Sequence, residues 1–115
     1  MAEKAIAIAL KIESGIAIAS MSQPKTRNAF TQNFLNDIQE IIAVCEDTAE
    51  INALVLTGTD GVFSSGGDIK GMVTRIQSGT QKPDYIRDRI YKLNDWLQRL
   101  RNLDIPVIAA VDGPA

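Results

Sequence analysis

The segment Phe63-Ser64-Ser65-Gly66-Gly67-Asp68-Ile69-Lys70 carries the residue types in this chain best suited to chemistry. It follows an apolar run, Ile51 to Leu56, and leads into a helical pattern. Two adjacent glycines let backbone N–H groups face a ligand with no Cβ in the way, and a helix start adds the positive end of its dipole. Donors held in this way suit a developing negative charge. A Gly-Gly turn after a strand also serves simply to reverse the chain, so the meaning of the segment depends on the rest of the sequence.

The residue inventory narrows the chemistry further. With no His and a single Cys, Cys45, this chain offers no zinc constellation and no Ser-His or Cys-His nucleophile pair. Acid/base work falls to carboxylates, Lys or Tyr. Cys45 excludes an internal disulfide, and its place in a helical apolar stripe marks it as a small buried hydrophobe.

The elements that must position the glycine segment can be read from periodicity. Ala5 to Leu10 and Ile16 to Ser20 alternate small and large apolar residues around Glu13-Ser14-Gly15, which predicts an antiparallel hairpin with something packed against its small face. Phe34, Leu35, Ile38, Ile41, Ile42 and Cys45 recur at three- and four-residue intervals, giving an amphipathic helix over 31–48, with Asp37, Glu40 and Glu46 mostly on other faces. Asn28 and Thr31 are both candidate caps. Ile51 to Thr57 reads as a strand buried on both faces. Asp68 caps a short helix through Ile69, Met72 and Ile76, ending near Ser78-Gly79, and 77–83 is a polar loop. A longer helix from Asp84 to Arg101 sets Ile86, Ile90, Leu93, Leu97 and Leu100 as a core stripe, with Tyr85, Tyr91 and Trp96 in packing or lid roles. Val107 to Val111 is another buried strand. The order β-β-α-β-α-α-β defines an α/β layered unit.

The 115 residues, 45% hydrophobic and 23% charged, suit one small domain. No apolar run approaches the roughly 20 residues of a membrane span. Met1-Ala2-Glu3-Lys4 lacks the basic and apolar regions of a signal peptide, so a cytoplasmic location is expected. A net charge of -2 gives no global attraction to nucleic acid or anionic lipid, and phosphate recognition must be local.

Three segments together, Pro24-Lys25-Thr26-Arg27-Asn28-Ala29-Phe30, the glycine segment, and Ile105-Pro106-Val107-Ile108-Ala109-Ala110-Val111-Asp112-Gly113, resemble the enoyl-CoA hydratase/isomerase (crotonase) superfamily in order and separation. The resemblance implies a crotonase-like (ClpP/crotonase) β-β-α layered fold. It further implies that residues 1–115 are the N-terminal part of such a domain, truncated after the strand at 107–111. Members bind an acyl-CoA thioester and hold its carbonyl oxygen between two backbone N–H groups as the enolate forms, the physics of an oxyanion hole.

By motif match Gly67 supplies the first N–H, compatible with the Ala of many relatives because only the amide is used. The second donor and the proton-shuttling acids of the family come from the region following Val107 to Val111. Asp68 is assigned to capping and site shape, since a carboxylate satisfied by helix N–H groups is a poor base at neutral pH. Lys25, Arg27 and Lys70 match the family's basic positions around the CoA phosphates. Ala29 and the backbone of Ser65, Gly66, Gly67, Asp68 and Ile69 run beside the adenine and pantetheine.

The resemblance implies no permanently bound cofactor and no metal. It implies an acyl-CoA substrate in fatty acid metabolism and a homo-oligomer of trimer or hexamer type, while charge and hydropathy point to no nucleic-acid or membrane partner. Enoyl-CoA hydratase is the leading expectation, with the fragment by itself inactive. Isomerase or naphthoate-synthase chemistry and a non-catalytic CoA-ester-binding or assembly module are the alternatives. A doubly wound nucleotide-binding half is disfavoured, because the turn lacks both Gly-x-Gly-x-x-Gly and Gly-x-x-x-x-Gly-Lys-Ser/Thr.

Overall fold

The computed structural model describes residues 6–80 and 82–115. The expected strand start at Ala5, the N-terminal Met1 to Lys4 and Gln81 of the expected loop lie outside them. The first two strands, β1 (Ile8–Glu13) and β2 (Ile16–Met21), form the antiparallel hairpin, closed by Ser14 at φ 51° and Gly15 at φ 83°. Two consecutive left-handed residues match the twist of flanking strands, so β1 runs on to Glu13, three residues past the Leu10 at which the alternation ends.

Strand β2 pairs in parallel with β4 (Ala53–Thr57), and β4 with β6 (Val107–Ala110), giving the sheet order β1-β2-β4-β6. Two further strands of two residues each, β3 (Ala29–Phe30) and β5 (Gly66–Gly67), form a separate parallel pair. Neither has an apolar run long enough to announce itself in the sequence.

Helix α1 (Gln32–Asp47) lies across one face of the sheet. Leu35, Ile38 and Ile42 bury completely with Ala17, Ala19 and Leu54. The small side chains of β2 thus face the helix and let it approach closely, as the hairpin pattern predicts. Thr31 is the cap, its hydroxyl accepting the Phe34 N–H at 3.2 Å. Asp37 departs from the amphipathic reading: it is buried, and its carboxylate accepts the N–H groups of Ala7 at 2.7 Å and Ile8 at 3.1 Å, tying the start of β1 to the helix. A carboxylate is tolerated inside because those donors replace water.

Helices α2 (Ile69–Gln77) and α3 (Pro83–Arg101) occupy their expected positions, but the expected core role of the α3 stripe is met only in part. Trp96 is the buried residue of α3; Ile86, Ile90 and Leu97 are exposed, while Leu93 and Leu100 pack partly against the core. One edge of the stripe, rather than its centre, contacts α1, and the Arg99–Glu46 ion pair at 2.7 Å joins the two helices.

The sheet is likewise covered on one side among the described residues. All four residues of β6 are exposed, and β4 is only half-buried apart from Leu54, so the expected burial of both strands on two faces is corrected. Registers place Ile18, Val55 and Ile108 side by side on the open face. Continuous apolar sequence encodes a capacity for two-sided burial, and whether that capacity is used depends on what is set against each face.

Candidate functional site

The chain enters the site through a 3-10 turn, Pro24–Thr26, in which proline presets the first dihedral. Arg27 and Asn28 follow in the left-handed region, with φ 54° and 58°. Asn adopts this conformation readily, whereas Arg does so only when its surroundings hold it there. The pair kinks the chain so that Ala29 and Phe30 run beside Gly66 and Gly67.

Hydrogen bonds weld the two segments. Ser65 N–H donates to the Arg27 carbonyl at 2.9 Å, and the Ser65 hydroxyl to the Thr26 carbonyl at 3.0 Å. Ala29 N–H donates to the Thr26 hydroxyl at 3.3 Å. The buried Asn28 carboxamide donates to the carbonyls of Val62 at 3.2 Å and Phe63 at 3.1 Å, and accepts from Gln23 N–H at 2.7 Å. Ser64, also buried, donates its hydroxyl to the Asn28 carbonyl at 2.8 Å and accepts Gly66 N–H at 3.0 Å.

The result is a cleft of about 210 Å³ lined by Lys25, Thr26, Arg27, Ala29, Ser65, Gly67, Asp68, Ile69 and Lys70. Every residue singled out from sequence lines it except Gly66, which turns the strand at φ 82° behind the wall. Gly67 is exposed and outside the left-handed region, and a Cβ built on it would meet only the Met72 methyl at 3.7 Å. Glycine is therefore required at Gly66 by conformation, and not required at Gly67.

Asp68 caps α2, accepting Gly71 N–H at 3.0 Å. Lys25, Arg27 and Lys70 are exposed at the cleft, and among the described residues none of them takes part in an ion pair. Three cations against one capping carboxylate at the N-terminus of a helix make an anion-attracting cleft. Its volume lies below the roughly 300–1,000 Å³ of complete small-molecule sites.

Sequence reasoning missed three contributors. Thr26 lines the cleft, and Asn28 and Ser64 stand behind it. For Asn28 the available signal is its residue type at a turn, which suits a left-handed kink as well as a helix cap. Nothing local marks Ser64. Among the described residues no group of three or more His, Cys, Asp or Glu side chains is placed to hold a metal, and no helix is long and apolar enough to cross a membrane.

Comparison with known proteins gives this geometry its context. The chain is 34% identical over 104 residues to bacillaene synthase decarboxylase PksI of Bacillus subtilis, covering 90% of this chain and 38% of that protein. It is also 34% identical over 102 residues to the probable enoyl-CoA hydratase echA12 of Mycobacterium bovis, covering 87% of this chain and 35% of that one. Among solved structures, an enoyl-CoA hydratase/isomerase from Xanthobacter autotrophicus superposes with a TM-score of 0.83 at 29% identity, over 94% of this chain and 39% of its own. Pseudomonas aeruginosa AtuE superposes with a TM-score of 0.85 at 25% identity, over 94% and 41% respectively.

The chain spans under half the length of each of these relatives. Its one-sided sheet is thus a partial crotonase fold. The family model for enoyl-CoA hydratase/isomerase matches residues 11–115, so the chain belongs to the enoyl-CoA hydratase/isomerase family.

Proposed function

We propose that the cleft binds an acyl-CoA thioester and that the Gly67 N–H is one of the two donors to its carbonyl oxygen, in an enzyme that adds water to a 2-enoyl-CoA. The observation that carries the reading is the cleft itself. Pairing of β3 with β5 gathers Lys25, Arg27 and Lys70 around an exposed glycine just before a helix start. Fixed backbone donors stabilise a thioester enolate without reorganising when the charge appears, and local cations meet the phosphates of CoA. Asp68 is committed to Gly71 N–H, so proton transfer is assigned to other groups of the complete protein. A homo-oligomer of trimer or hexamer type belongs to the same proposal.

Decarboxylation of an acyl thioester is the second reading, favoured by the 34% identity to a decarboxylase. It too passes through a thioester enolate, formed as the bond to the departing CO2 breaks, and uses the same oxygen-binding donors, so the cleft serves either reaction. Purified complete protein is to be assayed for hydration of crotonyl-CoA and for CO2 release from a malonyl-type thioester. Hydration supports the first reading and CO2 release the second. Absence of any measurable binding of CoA thioesters overturns both.

A further inference from the structure

Asn28, Asp37 and Ser64 are the buried polar side chains among the described residues. Asp37 serves the start of β1, whereas Asn28 and Ser64 meet directly behind the cleft and line none of it. We propose that Ser64 is a positioning residue for the thioester site. Its hydroxyl, anchored on the Asn28 carbonyl, holds Gly66 N–H and thereby sets the direction of the Gly67 N–H. The inference rests on the thioester reading of the cleft.

The physical need is specific. Gly66 and Gly67 have the widest backbone freedom of any residues, and β5 consists of those two alone, paired only with the two residues of β3. A strand so short does not hold itself, yet a donor aimed at a reacting oxygen must sit within about 0.5 Å of its productive position. Ser64 supplies a restraint from within the same turn, donating at 2.8 Å and accepting at 3.0 Å, so its one proton is committed and its rotor fixed.

Asn28 makes the restraint rigid from both ends. Its carboxamide grips Val62 and Phe63, the residues just before Ser64, while its own carbonyl receives the Ser64 hydroxyl. The chain before Gly66 and the chain before β3 therefore move together. With Gly66 N–H held by Ser64, the glycine that follows it, Gly67, is the one of the pair that lines the cleft.

The test uses the complete protein with crotonyl-CoA or the malonyl-type thioester, whichever it turns over, measuring kcat and KM separately, melting temperature, and amide hydrogen exchange at Gly66 and Gly67. Ser64→Ala is expected to lower kcat about 10- to 100-fold while KM stays within about twofold, because a donor displaced by an ångström costs on the order of 10² in rate without touching CoA contacts. Exchange at Gly66 should quicken at least about tenfold once its acceptor is gone. Ser64→Thr keeps the hydroxyl and should recover most of the lost kcat.

Should Ser64→Ala fail to fold, Asn28→Gly keeps the left-handed backbone and the carbonyl, loses the carboxamide, and is expected to show the same kcat-selective loss. A folded Ser64→Ala or Asn28→Gly with kcat within about twofold of wild type overturns the inference and leaves the thioester reading standing. A loss confined to KM overturns it as well. Wild-type protein that binds no CoA thioester overturns the thioester reading and this inference together.

Discussion

Phe30 and Trp96 meet edge to face, with ring centroids 5.7 Å apart and planes at 77°. Phe30 is the β3 residue paired with Gly67, and Trp96 is the buried residue of α3, so the wall of the cleft is braced by a helix remote from it in sequence. Phe34 of α1 completes the cluster, 4.8 Å from Phe30 and 5.5 Å from Trp96.

Trp96→Ala is therefore expected to destabilise the protein by about 3–5 kcal/mol, the usual range for emptying a large aromatic site. Trp96→Phe should cost much less. It keeps a ring against Phe30 and Phe34 and removes the Trp96 Nε1–H, which is buried without a hydrogen-bond partner among the described residues. Urea unfolding of the three proteins checks the order, and a Phe variant as unstable as the Ala variant contradicts this account.

At the glycine pair the two positions should answer oppositely to substitution. Gly67→Ala fits, since its Cβ meets only the Met72 methyl at ordinary contact distance, and activity of the complete enzyme should persist. Gly66→Ala must hold φ near 82° and should cost about 1–2 kcal/mol in stability. Gly67→Pro removes the proposed donor and should lower kcat by about 10²–10³. A folded Gly67→Pro protein with normal kcat places the oxygen-binding donor elsewhere.

Arg27→Ala and Lys70→Ala in the complete protein should each raise KM for CoA thioesters several-fold and leave kcat nearly unchanged. A phosphate contact far from the reacting carbon is the same in ground and transition states. The effect should shrink as salt rises, because both side chains are exposed and the Debye length is about 8 Å at physiological ionic strength. It should vanish with a truncated thioester lacking the nucleotide. Equal losses on the truncated substrate would mean that these residues act through folding.

Burial pushes the Cys45 thiol above its ordinary value of 9.0, with the neighbouring Glu46 charge adding to the shift. The folded state then holds the thiol proton more tightly than the unfolded one. The associated stability is fully present below pH about 9 and is lost as pH rises through the folded value. Wild type should lose more melting temperature than Cys45→Ala between pH 8 and pH 10, roughly, and iodoacetamide should modify Cys45 slowly until the protein unfolds. Parallel pH curves for the two proteins would contradict the burial argument.

The open sheet face carries Ile18, Val55 and Ile108 in register, with Ile108 51% exposed on the uncovered β6. Residues 1–115 by themselves should self-associate at micromolar concentration. Ile108→Lys should shift light scattering toward monomer without loss of helical circular dichroism. A monodisperse wild-type monomer would show that the face is tolerated by water.

Much of this protein is local and was legible in its residues. The three-and-four spacing of Phe34 to Cys45 gives α1, Ser14-Gly15 gives the hairpin turn, and Asp68 before Ile69 gives a cap, because each depends on neighbours within a few residues. The cleft residues were legible through motif resemblance. What only the tertiary structure decided lies between distant segments. The left-handed Arg27-Asn28 kink brings β3 onto β5, Asn28 reaches Val62 and Phe63, and Trp96 alone among the α3 apolar residues is driven inside. Periodicity states which side chains can be buried on one face, but which of them are covered depends on what the rest of the chain sets against that face. Thus Ile86, Ile90 and Leu97 of α3 and the strand β6 read as core and stand exposed, while Ser64, with no local mark, lies buried behind the site.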